Sequence, residues 1–134
     1  MTTEAIHAEL VALYDGSTPV RSRWSYRADQ PFTVTAAFQT ERDRWVEWAF
    51  SRDLLGEGLR GPAGVGDVRL HPETETGDLT MLVVEIESPE GYAELELEHE
   101  GVASFLAATE RIVPFGAESD HFDVDGLIDE LTRV

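Results

Sequence analysis

Residues 52–68 read RDLLGEGLRGPAGVGDV and contain a literal Gly-x-Gly-x-x-Gly at Gly56, Gly58 and Gly61. Whether this is a dinucleotide-binding turn or the end of a short helix decides the fold. A dinucleotide fingerprint needs a strand before it and a helix starting within it, because the pyrophosphate rests on the first backbone amides of that helix. Here the order is reversed. Ser51 is a good N-cap, Leu54, Leu55 and Leu59 make one apolar stripe, and the short helix is ending where the glycines begin. Pro62 forbids a helix from continuing through Gly61, and Glu57 would set a carboxylate where a phosphate must lie. The glycines are therefore expected to loosen or end a helix of one to two turns (Gly56, Gly58) and to supply positive-φ turns (Gly61, Gly64, Gly66). Nucleotide binding is not expected.

Outward from this stretch the hydrophobic period is mostly two. VRSRWSYR puts Val20, Ser22, Trp24 and Tyr26 on one face and Arg21, Arg23, Ser25 and Arg27 on the other, as in a half-buried strand. After an ADQP turn, Phe32, Val34, Ala36 and Phe38 share a side, and then Val46, Trp48 and Phe50. The opening EAIHAELVALYD also alternates, with Val11 and Leu13 leaving a helix open; a strand is the preferred reading. Downstream, GDVRLHP and DLTMLVVEIES read as strands, and YAELELEHE puts Tyr92, Glu94, Glu96 and Glu98 opposite Ala93, Leu95 and Leu97. From residue 101 the period becomes helical, with Val102, Phe105, Leu106, Thr109, Ile112 and Val113 on one stripe until Pro114. A final short helix carries Leu127, Ile128 and Leu131, capped by Asp123 or Asp125. Six or seven strands with helices after them predict an α+β domain over residues 1–134.

Composition bounds the function. A chain of 134 residues, 42% of them apolar, predicts one core. The opening MTTEAIHAEL is not a signal leader, and the longest strongly apolar run, MLVV at 81–84, is too short to span a bilayer, so a soluble, unprocessed protein is expected. With no cysteine, thiol chemistry and disulfides are excluded. The net charge is −17, and every lysine-or-arginine cation is an arginine. Residues 1–60 hold nine acids and seven arginines; residues 61–134 hold eighteen acids and three arginines. Nucleic-acid affinity rests largely on cations that release counterions from phosphates, so a general DNA or RNA binder is disfavoured. Anionic membrane is disfavoured for the same reason.

Catalytic and metal patterns are weak. HFDVDGLIDELT lines up with a calcium loop only at Asp123, Asp125 and Gly126; His121 and Thr132 occupy the first and last ligand positions. His7, His71, His99 and His121 stand in unrelated contexts, with no His-x-x-x-His spacing. In a simple hairpin Glu94 would oppose Glu85, a pairing able to raise a carboxylate pKa, although alternating glutamates more often make a solvated strand face. No serine lies in a nucleophile motif. Arg21, Arg23, Arg27, Arg42, Arg44, Arg52 and Arg60 share a half of the chain with Trp24, Trp45 and Trp48. That mixture can stack single-stranded nucleic acid, but it suits a protein interface better.

The stretch VEWAFSRDLLGEGLRGPAGVGDVRLHP closely resembles the signature of the SsgA-like family of sporulation and cell-division regulators from sporulating actinobacteria. YRADQPFTVTAAF is similar to the family's tyrosine-to-proline turn and strand, SPEGYAELE to its hairpin, SFLAATERIVPFGAE to its helix, and HFDVD to its C-terminal segment. EWAFSRDLL and HFDVD look most like the SsgB branch. Gln30, where the family usually has aspartate, and the spacing of Gly126 to Glu130 depart from the pattern. The resemblance implies two antiparallel β-sheets forming a barrel-like, Whirly-like body with C-terminal helices, and association into homotrimers. It also implies a non-catalytic cytoplasmic protein without cofactor, acting at division septum sites. The SsgB type would recruit the tubulin-like GTPase FtsZ, with an SsgA-type protein positioning it. The fold analogy keeps single-stranded nucleic acid as the alternative partner. Arg52 and Asp53, in the most characteristic stretch, are the expected interface residues.

Overall fold

A computed structural model describes residues 4–74, 77, 79–121, 128, 131 and 132. The period-two segments form strands β1 (Ala5–Tyr14), β2 (Thr18–Arg27), β3 (Thr33–Glu41) and β4 (Arg44–Ser51), followed by helix α1 (Arg52–Arg60). A second set follows: β5 (Ala63–Val65), β6 (Val68–Thr74), β7 (Thr80–Ser88) and β8 (Gly91–Glu98), then helix α2 (His99–Ile112) and a 3-10 turn over Glu118–His121. The opening segment is a strand because its inward side chains, Ile6 to Ala12, meet those of β2 in an unbroken register from Ala5↔Arg27 to Tyr14↔Thr18. Asp15 and Gly16 take the positive φ that this hairpin needs.

All eight strands are antiparallel neighbours in the order β4-β3-β2-β1-β8-β7-β6-β5, curled into a half-barrel. Two sheets were expected, and the described residues form one. Two four-stranded meanders are joined through β1 and β8, which pair only at Leu13↔Glu96 and Tyr14↔Leu95. Alternation marks each strand but carries no mark of which meander edges meet. The eighth strand, β5, lies in the glycine-rich segment read as turns.

The helices pack into the concave face. Trp24, fully buried, lies edge-on to Phe38, Phe50 and Phe105 at centroid distances of 6.4, 6.0 and 6.0 Å. Such pairs add about 0.5–1.5 kcal/mol each beyond the area they bury. Its indole N–H donates to Ser22 Oγ at 3.0 Å, and that hydroxyl donates to Leu10 O at 2.6 Å, so the buried polar atoms are satisfied. Phe32, expected to share the inward side of β3, precedes the strand and is 46% exposed. Val46 faces inward on the sheet's last strand and stays 41% exposed because, among the described residues, no strand lies beyond it.

The glycines differ from expectation in an informative way. Helix α1 runs through Gly56 and Gly58 to Arg60, with Gly61 at its C-cap. A Cβ on Gly58 would come within 2.5 Å of Leu70 Cβ, so this glycine lets the helix lie close against β6. Gly61 is extended (φ 176°), and of the three glycines read as positive-φ turns only Gly66 has that conformation, at 61°. Ile128 and Leu131 of the final helix are helical and exposed, whereas Leu127, Asp123 and Asp125 lie outside the described residues. No described helix is long and apolar enough to cross a membrane.

Candidate partner interface

Helix α1 begins as its sequence requires. Ser51 Oγ accepts from the Leu54 N–H at 3.0 Å, and Asp53 lies in the first turn, where the helix dipole favours a carboxylate. Arg52, the first helical residue, turns its side chain inward, leaving it 1% exposed. Its Nη1 donates to Val113 O at 2.6 Å and Thr109 O at 3.4 Å, carbonyls at the end of α2, of which the second also accepts the Val113 N–H at 3.0 Å. Its Nη2 donates to Glu118 Oε1 at 2.6 Å. The guanidinium lies between the rings of Tyr26 and Phe115, 4.9 and 4.7 Å from their centroids. Only Nε is buried without a hydrogen-bond partner.

The surroundings of Arg52 are fixed in turn. Tyr26 donates its hydroxyl to Pro31 O at 2.8 Å, which ties the end of β2 to the tyrosine-to-proline turn, and burial raises its phenol pKa. Glu118 accepts the Gly116 N–H at 2.9 Å on its other oxygen. The hydrogen bond from Arg52 holds its carboxyl below the usual glutamate value. Arg52 therefore joins α1, the end of α2 and the 3-10 turn.

Of the two residues expected at an interface, Asp53 is exposed and Arg52 is not. A partner can meet Arg52 only through what it positions. That is chiefly Phe115, a residue 47% exposed whose ring lies over the guanidinium. Asp53, Glu57, Arg60 and Phe115 surround a hollow of about 230 Å³ floored by Gly56 and Leu106. An aromatic anchor rimmed by charges of both signs is a surface suited to protein contact. Neither Phe115 nor Glu118 stood out in the sequence: both lie in PFGAESDHF, which reads as a linker, and no local pattern announces an ion pair across 66 positions.

The other candidate groups sit elsewhere. Glu85 and Glu94 are directly opposed, as a simple hairpin register requires. Glu85 is compensated by Arg69 Nε at 3.4 Å and by the Tyr92 hydroxyl, which donates to it at 2.9 Å. That bond to a carboxylate pushes the Tyr92 phenol up to about 12. Arg21 and Arg23 approach Glu9 at 3.9 and 3.4 Å, and Arg27 pairs with Asp29 at 2.8 Å. The Arg23 guanidinium also covers Trp45, 4.1 Å from its ring centre. The arginines of β2 are thus engaged within the chain. His99 Nε2 lies 2.7 Å from Leu59 O. Among the described residues no three histidine or acidic side chains converge on a metal-sized position.

A curled antiparallel half-barrel carrying two helices, with its characteristic segment folded into the Arg52-centred cluster, defines a particular class of α+β protein. The profile described as "Streptomyces sporulation and cell division protein, SsgA" matches residues 20–118, and the chain belongs to this family. A sporulation-specific cell division protein SsgB of Streptomyces coelicolor is 42% identical over 120 residues, covering 90% of this chain and 87% of that protein. Its counterpart from Saccharopolyspora erythraea is 40% identical, covering 94% and 86%. The crystal structure of an SsgA-like sporulation-specific cell division protein from Thermobifida fusca superposes with a TM-score of 0.86 at 33% identity, covering 98% of both chains.

Proposed function

We propose that this chain is a non-catalytic regulator of sporulation-specific cell division that marks septum sites in the cytoplasm and recruits the tubulin-like GTPase FtsZ by direct contact. An SsgA-type protein would position it, and it would act as a single-domain homotrimer built on the Whirly-like half-barrel. The observation that carries this reading is the match to SsgB-named cell division proteins over most of the chain, including the whole of α1. The contact surface is the exposed side of α1, with Asp53 at its centre and Arg52 acting from beneath through Phe115. Single-stranded nucleic acid is the weaker partner, because the net charge opposes phosphate and the Arg23–Trp45 stack is already paired with Glu9.

The test is co-sedimentation with FtsZ of the same host under GTP, beside single-stranded DNA binding at physiological salt. Co-pelleting that is lost in Asp53→Arg, without DNA retention, supports the proposal. DNA retention without co-pelleting overturns it.

A further inference from the structure

Gly56 lies inside α1, where alanine would make a more stable helix. Unlike Gly58, it has room for a side chain: a Cβ there would stand 3.6 Å from Leu106 Cδ2 and 3.7 Å from Arg60 Nη1, ordinary contact distances. What the glycine provides is space, because the missing side chain leaves open the floor of the hollow of about 230 Å³ at Asp53, Glu57, Arg60 and Phe115. Two donors border that space without an acceptor. Arg60 brings its guanidinium back over Gly56, and its side chain has no ion pair or hydrogen bond among the described residues. Arg52 lines the hollow from beneath; its side chain is 1% exposed, its Nη1 and Nη2 are engaged, and its Nε is buried with no partner.

A buried donor without an acceptor costs free energy that a ligand oxygen would recover. The rim sets the charge of that ligand. Asp53 and Glu57 oppose a dianion such as a phosphate, whereas a single carboxylate between two guanidinium groups makes charge-assisted hydrogen bonds. The hollow is also smaller than the roughly 300–1,000 Å³ of small-molecule sites and suits one side chain. We propose that it receives the carboxylate of an aspartate or glutamate of the protein partner, which accepts from Arg60 and from Arg52 Nε, while Asp53 and Glu57 meet a cation beside it. The occupant comes from a partner and not from a second copy because the hollow lies in the α1 surface assigned above to the partner contact, and the proposal rests on that assignment. Arg52 Nε is shielded from water, so the carboxylate reaches it as the half-exposed Phe115, whose ring lies over the guanidinium, turns aside. Exposed side chains change rotamer in picoseconds to nanoseconds.

The probe is a tetrapeptide of leucine, glutamate, lysine and leucine, blocked at both ends, with the glutamine-for-glutamate peptide as control. Each is titrated to millimolar concentration at about 0.15 M salt, and proton–nitrogen correlation NMR follows the arginine Nε–H signals. The control peptide is the more positive, so the net charge of −17 favours it, and a preference for glutamate is a property of the hollow. The expected result is a saturable shift of the Arg52 and Arg60 Nε–H signals, with binding about tenfold or more weaker for the glutamine peptide and for Arg60→Gln. Gly56→Ala, which fills the floor, should weaken binding severalfold while raising the thermal midpoint, a combination that a purely structural role does not produce. Equal binding of the two peptides, a shift that spares Arg52, or no shift overturns the proposal. So does loss of self-association in Arg60→Gln by sedimentation, since a second copy's carboxylate would then occupy the hollow. Co-sedimentation of the native protein with FtsZ without any peptide shift fails the hollow alone; the expected peptide shifts without FtsZ co-sedimentation fail the proposed function and leave the hollow's chemistry standing.

Discussion

Arg52 and Glu118 meet at 2.6 Å across 66 positions of sequence, with the guanidinium wholly inside the protein. Removing one member of a buried pair strands the other, which makes it more damaging than removing both. Arg52→Leu removes the cationic partner of Glu118, which keeps only the Gly116 N–H, and the guanidinium donor of the Val113 carbonyl. It should lower unfolding free energy by about 3–5 kcal/mol in chemical denaturation. The double variant Arg52→Leu/Glu118→Leu should lose less than the sum of the two single changes.

The same pair predicts an acid-sensitive component of stability. Arg52 lowers the folded-state pKa of Glu118 below its ordinary value of 4.5. A carboxylate with a depressed folded pKa stabilises the native state fully above its unfolded pKa, and that contribution is lost as pH falls through the folded value. The stability gap between the native chain and Glu118→Gln, measured by urea unfolding, should therefore be constant from about pH 7 to 6 and shrink below about pH 4.5. A gap that widens toward acid would contradict the assignment.

Two glycines of one motif should respond oppositely to alanine. At Gly58 a methyl group would strike Leu70 Cβ, so Gly58→Ala is expected to lose about 1–3 kcal/mol by overpacking. Nothing lies within 4 Å of a Cβ at Gly61, and its backbone is extended. Gly61→Ala should be neutral or stabilise by up to about 1 kcal/mol through the unfolded chain. Thermal unfolding of the two variants side by side decides this.

Ser51 is both the last residue of β4 and the N-cap of α1. Ser51→Ala removes the acceptor for the Leu54 N–H and should cost about 1 kcal/mol. Ser51→Asp, which restores an acceptor and suits the helix dipole, should recover most of it in the same unfolding assay.

From the sequence alone, alternation located β1 to β4 and β6 to β8, the N-cap at Ser51 placed α1, and the helical stripe ending at Pro114 placed α2. These signals are local: side-chain period, cap chemistry and the missing proline N–H act within a few residues. The family motifs, likewise read in order along the chain, identified the SsgA membership that the comparison with known proteins shows. What only the tertiary structure decided are contacts between distant segments. The β1–β8 junction makes one sheet of two meanders, and Leu70 dictates why residue 58 is glycine. Glu118 with the end of α2 draws Arg52 into the core, leaving Asp53 and Phe115 at the surface. A long-range contact is set by which surfaces the whole chain can bury together, and no spacing within either segment encodes it.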